Sequence, residues 1–436
     1  MSGLLLTLFL IGSLGAAVFA PIIAAYIFTF VTYMAPKFVL YGPGMAWPWA
    51  AISGVTAVIL WVLIDRKILS KISFLYCLIV LWLIWINVTT QFAQGDEFHV
   101  YYKYNLAVKT IIASLFICLM LTSRIRIEGF IIVIIAAVGF YVGRGFVITL
   151  LTGGGGLAVT GETQTPLGDR NAFSTVIWML IPLIMWLSAH TTIFPRVRIF
   201  QLALVGFSFV GIITIVGTQS RGALVAAPFF FAFLFFQSNK KIPIILFGIS
   251  AIVMVGLLAP QEWWDRMASI LLYDEDNSAI SRFNSWNFAW NYALQHPIVG
   301  GGFRIFTLNI DPVANRWLDA HSIYFEVLGE HGFVGFFLFM SIMIGLLLNG
   351  RHIARVCRPY PDLAWAGDLG SKIVVSIVLY MVGGAFLSLA FHPITYDMAA
   401  LSLALRHLVH REIAKRELPA AERYRSGFRG EVQRRG

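Results

Sequence analysis

Long apolar segments recur along most of this chain, and they constrain its fold more than any other feature. Runs of about 17 to 25 apolar residues with few charges are long enough to cross a bilayer as helices. Because the first run contains Pro21 and is too long for one straight span, it is either one broken helix or two short ones. Counted as one crossing, it brings the total to about twelve predicted spans, at 3–34, 47–64, 73–90, 105–122, 127–144, 171–188, 199–216, 221–237, 241–258, 322–348, 371–391 and 395–409.

The composition agrees with a membrane protein. Charged residues make up 12% of the 436 residues and hydrophobic residues 58%, whereas a soluble domain has about 25% charged residues. These values exclude a water-soluble globular protein, a disordered chain and a fibrous one. We therefore predict an all-α polytopic membrane protein.

The net charge of +10 would suggest nucleic acid as a partner if the protein were soluble. Its distribution along the chain gives a different explanation, because 22 of the 32 Lys and Arg residues fall in alternate loops and in the C-terminal tail. The positive-inside rule places these loops and the tail in the cytoplasm. An even number of spans then puts the N-terminus there too. We expect membrane lipids and no nucleic acid as partners.

The spans and loops divide the chain into four predicted regions. These are an N-terminal bundle of about nine spans at 1–258, a large outer loop at 259–321, C-terminal transmembrane helices at 322–409 and a basic cytoplasmic tail at 410–436. Within the loop, Phe283, Trp286, Trp290 and Leu294 recur at helical spacing. This pattern predicts an amphipathic helix at 281–295, which either lies at the membrane interface or only packs against the protein.

Several short outer segments are rich in polar residues or glycine. Three of them are LGDRN at 167–171, GTQSRGA at 217–223 and DAHSIYFEVLGEHGFVG at 319–335. The glycine run at 153–156 lacks the Lys-Ser/Thr pair of a phosphate-binding loop, so we interpret it as a flexible loop. The acidic run at 274–276 is interpreted as a solvated loop tip.

Four arginines, Arg170, Arg221, Arg282 and Arg304, share the outer face with His321 at the edge of a span. A single arginine at this level usually snorkels or pins a loop, but four together present planar forks of donors that suit phosphate oxygens. No Asp/Glu pair accompanies them to hold Mg²⁺, so we expect no metal and no cofactor. His321 either only begins its helix or, as a neutral imidazole, accepts a proton from a hydroxyl nucleophile.

The order of GTQSRGA, RFNSW, HPIVGGGFRIF and DAHSIYFEVLGEHGFVG across a large outer loop resembles the O-antigen ligase superfamily. That superfamily contains lipopolysaccharide O-antigen ligases, O-antigen polymerases and bacterial O-linked oligosaccharyltransferases. The segments VTYMAPKFVLYGPGMAWPWA and LGDRNAFSTVIWMLIPL look like a subgroup described as O-glycosylation ligases. The resemblance covers most of the chain and implies a membrane glycosyltransferase of the GT-C type.

The resemblance also implies roles for individual residues. His321 matches the family's histidine after the large loop, Arg221 the arginine of the SRG motif, and Arg282 the arginine before the aromatic helix, whereas Arg170 matches less closely. Many members have Asn after the histidine, where this chain has Ser322. The implied donor is a glycan on undecaprenyl diphosphate at the periplasmic face of the bacterial inner membrane, and the implied acceptor is a hydroxyl of the lipid A-core oligosaccharide.

The implied reaction is a metal-independent, inverting transfer with His321 as the general base. Arg221 and Arg282 hold the diphosphate, and Arg170 and Arg304 are further binding residues. Two rival reactions use the same donor, namely O-antigen polymerisation and transfer to a protein hydroxyl. A transporter or flippase is a rival of another class, but transporters carry charged sites at the midplane, whereas we predict almost no charge deep within these spans.

Overall fold

The computed structural model describes residues 2–417 apart from 40, 43, 45, 66–72, 153–158, 164, 196, 238–240, 259–260, 262–263, 265–276 and 312–315. The described chain is almost entirely helical. Its helices are α1 Ser2–Ala16, α2 Ile22–Met34, α3 Pro36–Val39, α4 Trp49–Leu63, α5 Phe74–Thr90, α6 Glu97–Met120, α7 Arg124–Thr152, α8 Arg170–His190, α9 Arg198–Gly217, α10 Arg221–Gln237, α11 Lys241–Leu258, α12 Asn277–Gln295, α13 Ile323–Cys357, α14 Ala364–Gly384 and α15 Pro393–Glu417.

Short elements complete the fold. Single turns of 3₁₀ helix lie at Ile305–Leu308 and Pro361–Leu363. Two-residue strands β1 Ile310–Asp311 and β2 Arg316–Trp317 pair antiparallel, with Ile310 opposite Trp317. They belong to the segment before α13 and leave the helical character of the protein unchanged.

Seven helical segments of the described chain are long and apolar enough to cross a membrane. They are Ile22–Val39, Glu97–Met120, Arg124–Thr152, Arg170–His190, Arg198–Gly217, Ile323–Cys357 and Pro361–Gly384, and shorter apolar helices occur at Gly3–Ala16, Trp49–Leu63, Phe74–Thr90 and Arg221–Phe236. This confirms an all-α polytopic membrane protein. The number of twelve spans and the GT-C type stay predictions.

The first predicted segment, 3–34, folds as two helices rather than as one crossing. α1 and α2 form an antiparallel hairpin with its turn next to Pro21, and Leu10 of α1 shares a core cluster with Ile27 of α2. The hairpin returns the chain to its starting level, because Gly3 lies against the backbone of Tyr41. The two ends of this segment therefore lie at the same end of the bundle, so of the two alternatives the structure has two short helices rather than one broken helix. The prediction of a cytoplasmic N-terminus, which rested on an even number of spans, loses the support of that count.

We call the end of the bundle that carries His321 the outer end. The hydroxyl of Tyr33, near the end of α2, donates to Asp397 near the start of α15 at 2.5 Å. Tyr141 of α7 donates to the carbonyl of Met34 at 2.7 Å. These bonds place the C-terminal end of α2 at the outer end of the bundle.

The predicted span at 371–391 is shifted in the structure. α14 begins at Ala364 and ends at Gly384, and residues 385–392 form an irregular segment that we call the outer strap. The strap is apolar because it is buried between helices, and its polar backbone groups are bonded by side chains. Tyr380 donates to Leu389 O at 2.9 Å and Tyr396 to Ala390 O at 3.1 Å. Buried backbone groups in an irregular segment need hydrogen-bond partners of this kind.

The predicted amphipathic helix is confirmed as α12. Its small residues Ser281, Ser285, Ala289 and Ala293 are buried, while Phe283, Trp290 and Leu294 are 55%, 47% and 56% exposed. The helix therefore packs against the protein through one face and presents apolar side chains on another. Its position at a membrane interface stays a prediction.

Some predicted features lie outside the described residues. These are the glycine run at 153–156, the acidic run at 274–276 and the tail from 418 onward. The division of the chain into four regions also stays a prediction.

Candidate functional site

His321 stands at the entrance to α13, in the left-handed region of backbone conformation with φ of 48°. This region is sparsely populated by residues other than glycine. The main-chain nitrogen of His321 donates to Ser388 Oγ of the outer strap at 2.9 Å. Ser322 caps the helix, since its Oγ accepts from Tyr324 N at 3.3 Å. The backbone of His321 is therefore held between a helix start and the strap.

Asp319 supplies negative charge next to His321. Ser388 Oγ donates to Asp319 Oδ1 at 3.1 Å. Desolvation alone would raise the pKa of the Asp319 carboxyl, but the charges of His321, Lys103 and Arg304, together with the Ser388 hydrogen bond, outweigh it and lower the pKa below its ordinary value. Asp319 is therefore ionised near pH 7 and places a negative charge close to His321.

Three other helices contact the C-terminal end of α14 at the outer end of the bundle. A Cβ on Gly383 would meet Thr175 of α8, and a Cβ on Gly222 of α10 comes within 3.8 Å of Gly383 O. On the next residue, Gly384, a Cβ would lie 3.0 Å from Ile323 of α13. The N-terminal parts of α8, α10 and α13 therefore meet around two adjacent glycines.

Three residues predicted from the sequence begin or precede the helices that meet here. Arg221 precedes Gly222, and His321 lies two residues before Ile323. Arg170 begins α8, where Asp169 caps the helix by accepting from Asn171 N and Ala172 N at 2.9 and 2.8 Å. Arg170 and Arg221 thus both occupy the first position of a helix, whose N-terminus favours anions.

Arg282 reaches the same region through α12. One turn further along this helix, Trp286 stacks on Phe325 of α13, with ring centroids 5.3 Å apart and planes at 12°. Trp286 also lies 6.3 Å from Phe386 of the outer strap. Aromatic contacts of this kind add about 0.5–1.5 kcal/mol each beyond burial of area. They fix α12, and with it Arg282, beside the elements that hold His321.

Arg304 follows a glycine-rich segment that docks onto a kink in α13. The kink lies at Gly332, which has φ of 68°. Gly301 N donates to Gly329 O at 3.0 Å, and Gly302 N donates to Glu330 O at 2.8 Å. A Cβ on Gly300 would lie 2.6 Å from Gly332 N, so this close approach requires glycine. The docked segment brings Arg304 to the first turns of α13.

A buried charge cluster, which the sequence pattern did not predict, supports these elements. Lys103 Nζ of α6 lies 2.7 Å from Glu326 Oε1 and 2.8 Å from each carboxylate oxygen of Glu330. The two glutamate side chains are 3% and 1% exposed. Because removal of one partner leaves charge buried and unpaired, such a cluster strongly couples the elements that carry it.

The remaining contacts of the cluster extend to the site. Glu330 Oε1 accepts from the main-chain nitrogen of Arg304 at 2.8 Å. Glu326 Oε2 accepts from Ala390 N of the outer strap at 3.0 Å, two residues beyond Ser388. The cluster therefore supports the backbone of Arg304 directly and that of His321 through the strap.

Glu326 and Glu330 lie one helical turn apart, and Lys103 and two main-chain N–H groups occupy their oxygens. The cluster corrects the expectation of almost no charge within the spans. Buried charge occurs inside the bundle, within the first turns of α6 and α13 at the outer end. Two glutamates in a largely apolar span were the sequence signal for it, since such residues are rarely unpaired.

The outer strap is also joined to the loop before α8. His392 Nε2 and Pro166 O are 2.8 Å apart. Burial lowers the pKa of His392 to about 4, although the bond to Pro166 opposes the shift. This histidine is therefore neutral near pH 7 and links the segments that precede α8 and α15.

Comparison with known protein families gives a match that runs from within α9 to within α13. Residues 204–340 match the O-antigen ligase family (Wzy_C). This match supports membership of the chain in the O-antigen ligase superfamily. Residues 1–192 match a family of unknown function (DUF5935), and no curated protein matches the chain.

The match at 204–340 gives the site a general chemical context. It supports a glycosyl-transferring enzyme of the ligase or polymerase type. Arg221, Arg282, Arg304 and His321 all fall within the matched region at 204–340. Arg170 falls within the segment at 1–192 that matches the family of unknown function.

Proposed function

We propose that this protein is an O-antigen ligase that transfers a glycan from undecaprenyl diphosphate to a hydroxyl of the lipid A-core oligosaccharide at the periplasmic face of the inner membrane. One observation carries the proposal. Arginines from α8, α10, α12 and the glycine-rich segment gather at the end of the bundle where His321 is held. Arginine clusters suit phosphate oxygens.

The chemistry follows from the roles of these groups. His321 takes the proton of the acceptor hydroxyl as that oxygen bonds to the anomeric carbon of the donor. The bond from this carbon to the diphosphate oxygen breaks, and its electron pair leaves with the lipid diphosphate. Arg221 and Arg282 bind the diphosphate and stabilise the charge that develops on it. A single displacement inverts the anomeric carbon.

The other outer residues bind and position the reactants. Arg170 and Arg304 contribute further positive charge for the diphosphate and the glycan. Asp319 favours the imidazolium form of His321 during proton transfer. The donor already carries its leaving group, so the proposal includes neither a metal ion nor a cofactor.

A reconstituted transfer reaction tests this function. The full chain in proteoliposomes receives lipid-diphosphate-linked glycan and lipid A-core oligosaccharide, with and without EDTA. We expect an inverted product in both conditions. Arg221→Ala and Arg282→Ala should each lower kcat by about 10²–10³-fold, as for loss of other groups that stabilise developing charge. Arg351→Ala, at an exposed site on the far end of α13, is the matched control.

The same assay separates the rival functions. Strong inhibition by EDTA, or near-normal transfer by Arg221→Ala, contradicts the proposed mechanism. Transfer onto a second lipid-linked glycan instead of lipid A-core indicates a polymerase, and transfer onto a protein hydroxyl indicates an oligosaccharyltransferase. Movement of the donor across the membrane without transfer indicates a flippase.

A further inference from the structure

A groove of about 840 Å³ lies between α2, α4 and α6. This volume is within the range of about 300–1,000 Å³ that is typical of ligand sites. Most of its lining is apolar, with Phe28, Ile59 and Phe116 among the side chains. No element described above as part of the His321 site other than α6 lines the groove.

The groove and the buried charge cluster occupy different faces of α6. Lys103 points to Glu326 and Glu330 of α13. Lys109, Ile112 and Phe116 line the groove. At 100° per residue, these three positions lie about 120° to 180° around the helix from Lys103. The groove is therefore separate from the site around His321.

Two lysines mark one end of the groove. Lys37 follows the outer end of α2, and Lys109 lies near the outer end of the predicted span of α6. Both side chains are exposed, and among the described residues neither has a carboxylate within ion-pair distance. Trp47 and Trp49 line the same end, at the level where tryptophans concentrate at membrane interfaces. A cation facing lipid is costly at this depth unless it snorkels or meets an anion.

The depth of the groove matches one leaflet. Along α4 it extends from Trp49 to Ile59, which is about 15 Å at 1.5 Å per residue. The hydrocarbon core of a bilayer is about 30 Å thick, so the groove spans about half of it. An acyl chain fits this depth, with its phosphate beside the lysines.

We infer that this groove is a binding site for an anionic phospholipid of the outer leaflet. The acyl chain lies against the apolar walls between α2, α4 and α6, and the phosphate lies between Lys37 and Lys109. Lysine acts as a point charge that suits one phosphate group, whereas the arginines around His321 present forks of donors. The bound lipid would fill a gap that the three helices leave open.

Native mass spectrometry of the purified full-length protein tests this inference. The protein is titrated with dioleoylphosphatidylglycerol and, separately, with dioleoylphosphatidylcholine. Each lysine near an anionic headgroup contributes about 1 kcal/mol, or about fivefold in affinity. We therefore expect wild type to bind phosphatidylglycerol about tenfold or more tightly than phosphatidylcholine. The double variant Lys37→Gln/Lys109→Gln should lose this preference.

Two further variants make the result specific. Lys241→Gln/Lys415→Gln removes the same charge at exposed sites outside the groove and should keep the preference. Ala113→Phe fills the groove while keeping both lysines, and it should weaken binding of both lipids. Because the measurement needs no transfer reaction, its outcome is independent of the proposed function.

Three results would overturn the inference. One is equal affinity of wild type for the two lipids, and another is a preference that survives in Lys37→Gln/Lys109→Gln. The third is one-for-one displacement, in which each undecaprenyl diphosphate that binds releases one phosphatidylglycerol. This result would identify the groove as the binding site of the donor's chain. Simultaneous binding of both lipids supports the inference.

Discussion

The main-chain nitrogen of His321 donates a 2.9 Å hydrogen bond to Oγ of Ser388, in the irregular strap between α14 and α15. The same hydroxyl donates to Asp319. A residue 67 positions away in the chain thus fixes both the backbone of the proposed base and its neighbouring carboxylate. This relationship makes the outer strap part of the site, although it holds none of the proposed catalytic side chains.

Ser388→Ala should lower kcat by about two- to tenfold with little change in KM, because it removes one hydrogen bond from His321 and one from Asp319. Initial rates of transfer at several donor concentrations measure the two constants. Ser371→Ala, which removes a hydroxyl bonded within α14, should leave both constants near those of wild type. A Ser388→Ala enzyme with a raised KM and normal kcat would show that the strap acts in binding instead.

Asp319→Asn should shift the acid limb of the pH–rate profile to lower pH by about one unit or less. The lowered pKa of Asp319 keeps it ionised down to below its ordinary value of 3.8, so its charge favours protonated His321 across the working range. Without that charge the imidazole loses its proton at lower pH. The stabilisation that Asp319 itself contributes is present above pH 3.8 and is lost only as pH falls through the lowered pKa.

The control for this shift is Asp96→Asn, which removes an exposed carboxylate paired with His99. Its profile should coincide with that of wild type. An acid limb that stays in place, or moves to higher pH, in Asp319→Asn would exclude an electrostatic effect of this carboxylate on the proposed base.

Lys103→Met should destabilise the protein by about 3–5 kcal/mol, because it leaves Glu326 and Glu330 buried without their partner. Transfer per folded molecule should fall as well, since the two glutamates hold Arg304 and the outer strap. Adding Glu326→Gln and Glu330→Gln removes the buried charges and should recover part of the stability. Thermal unfolding in detergent, combined with transfer rates, measures both effects.

Arg126→Met is the matched control for Lys103→Met. It breaks the ion pair with Asp65, whose two N–O distances are both 2.8 Å, at the opposite end of the bundle. This variant should lose stability but keep its transfer rate per folded molecule. If Lys103→Met also keeps a normal rate per folded molecule, the cluster has only a structural role.

The helices could be predicted from the sequence wherever apolar length alone determines them. The predicted spans at 221–237 and 241–258 coincide with α10 and α11, and the spacing of Trp286 and Trp290 predicted α12. Hydropathy failed at 385–391, where apolar residues are buried in an irregular segment rather than in a helix. At 3–34 it left open one broken helix or two short ones, and the structure has two helices that form a hairpin.

The arrangement of the site was predictable only in part. The motifs single out His321 and Arg221 as candidate site residues because each lies at the edge of an apolar span. The partners of Lys103 lie 223 and 227 positions away in the chain, and no local pattern connects residues at that separation. The contact between His321 and Ser388 joins residues 67 positions apart, so it could not be predicted for the same reason. Such pairings depend on how the helices pack.

The most direct test of the central claim compares His321→Ala with His296→Ala in the reconstituted transfer reaction. His296 is an exposed histidine after α12 and carries no proposed role. If His321 is the general base, its replacement lowers kcat by about 10²–10⁴-fold, while the variant still inserts into the membrane and His296→Ala transfers at a near-normal rate. Near-normal transfer by inserted His321→Ala would contradict the assignment.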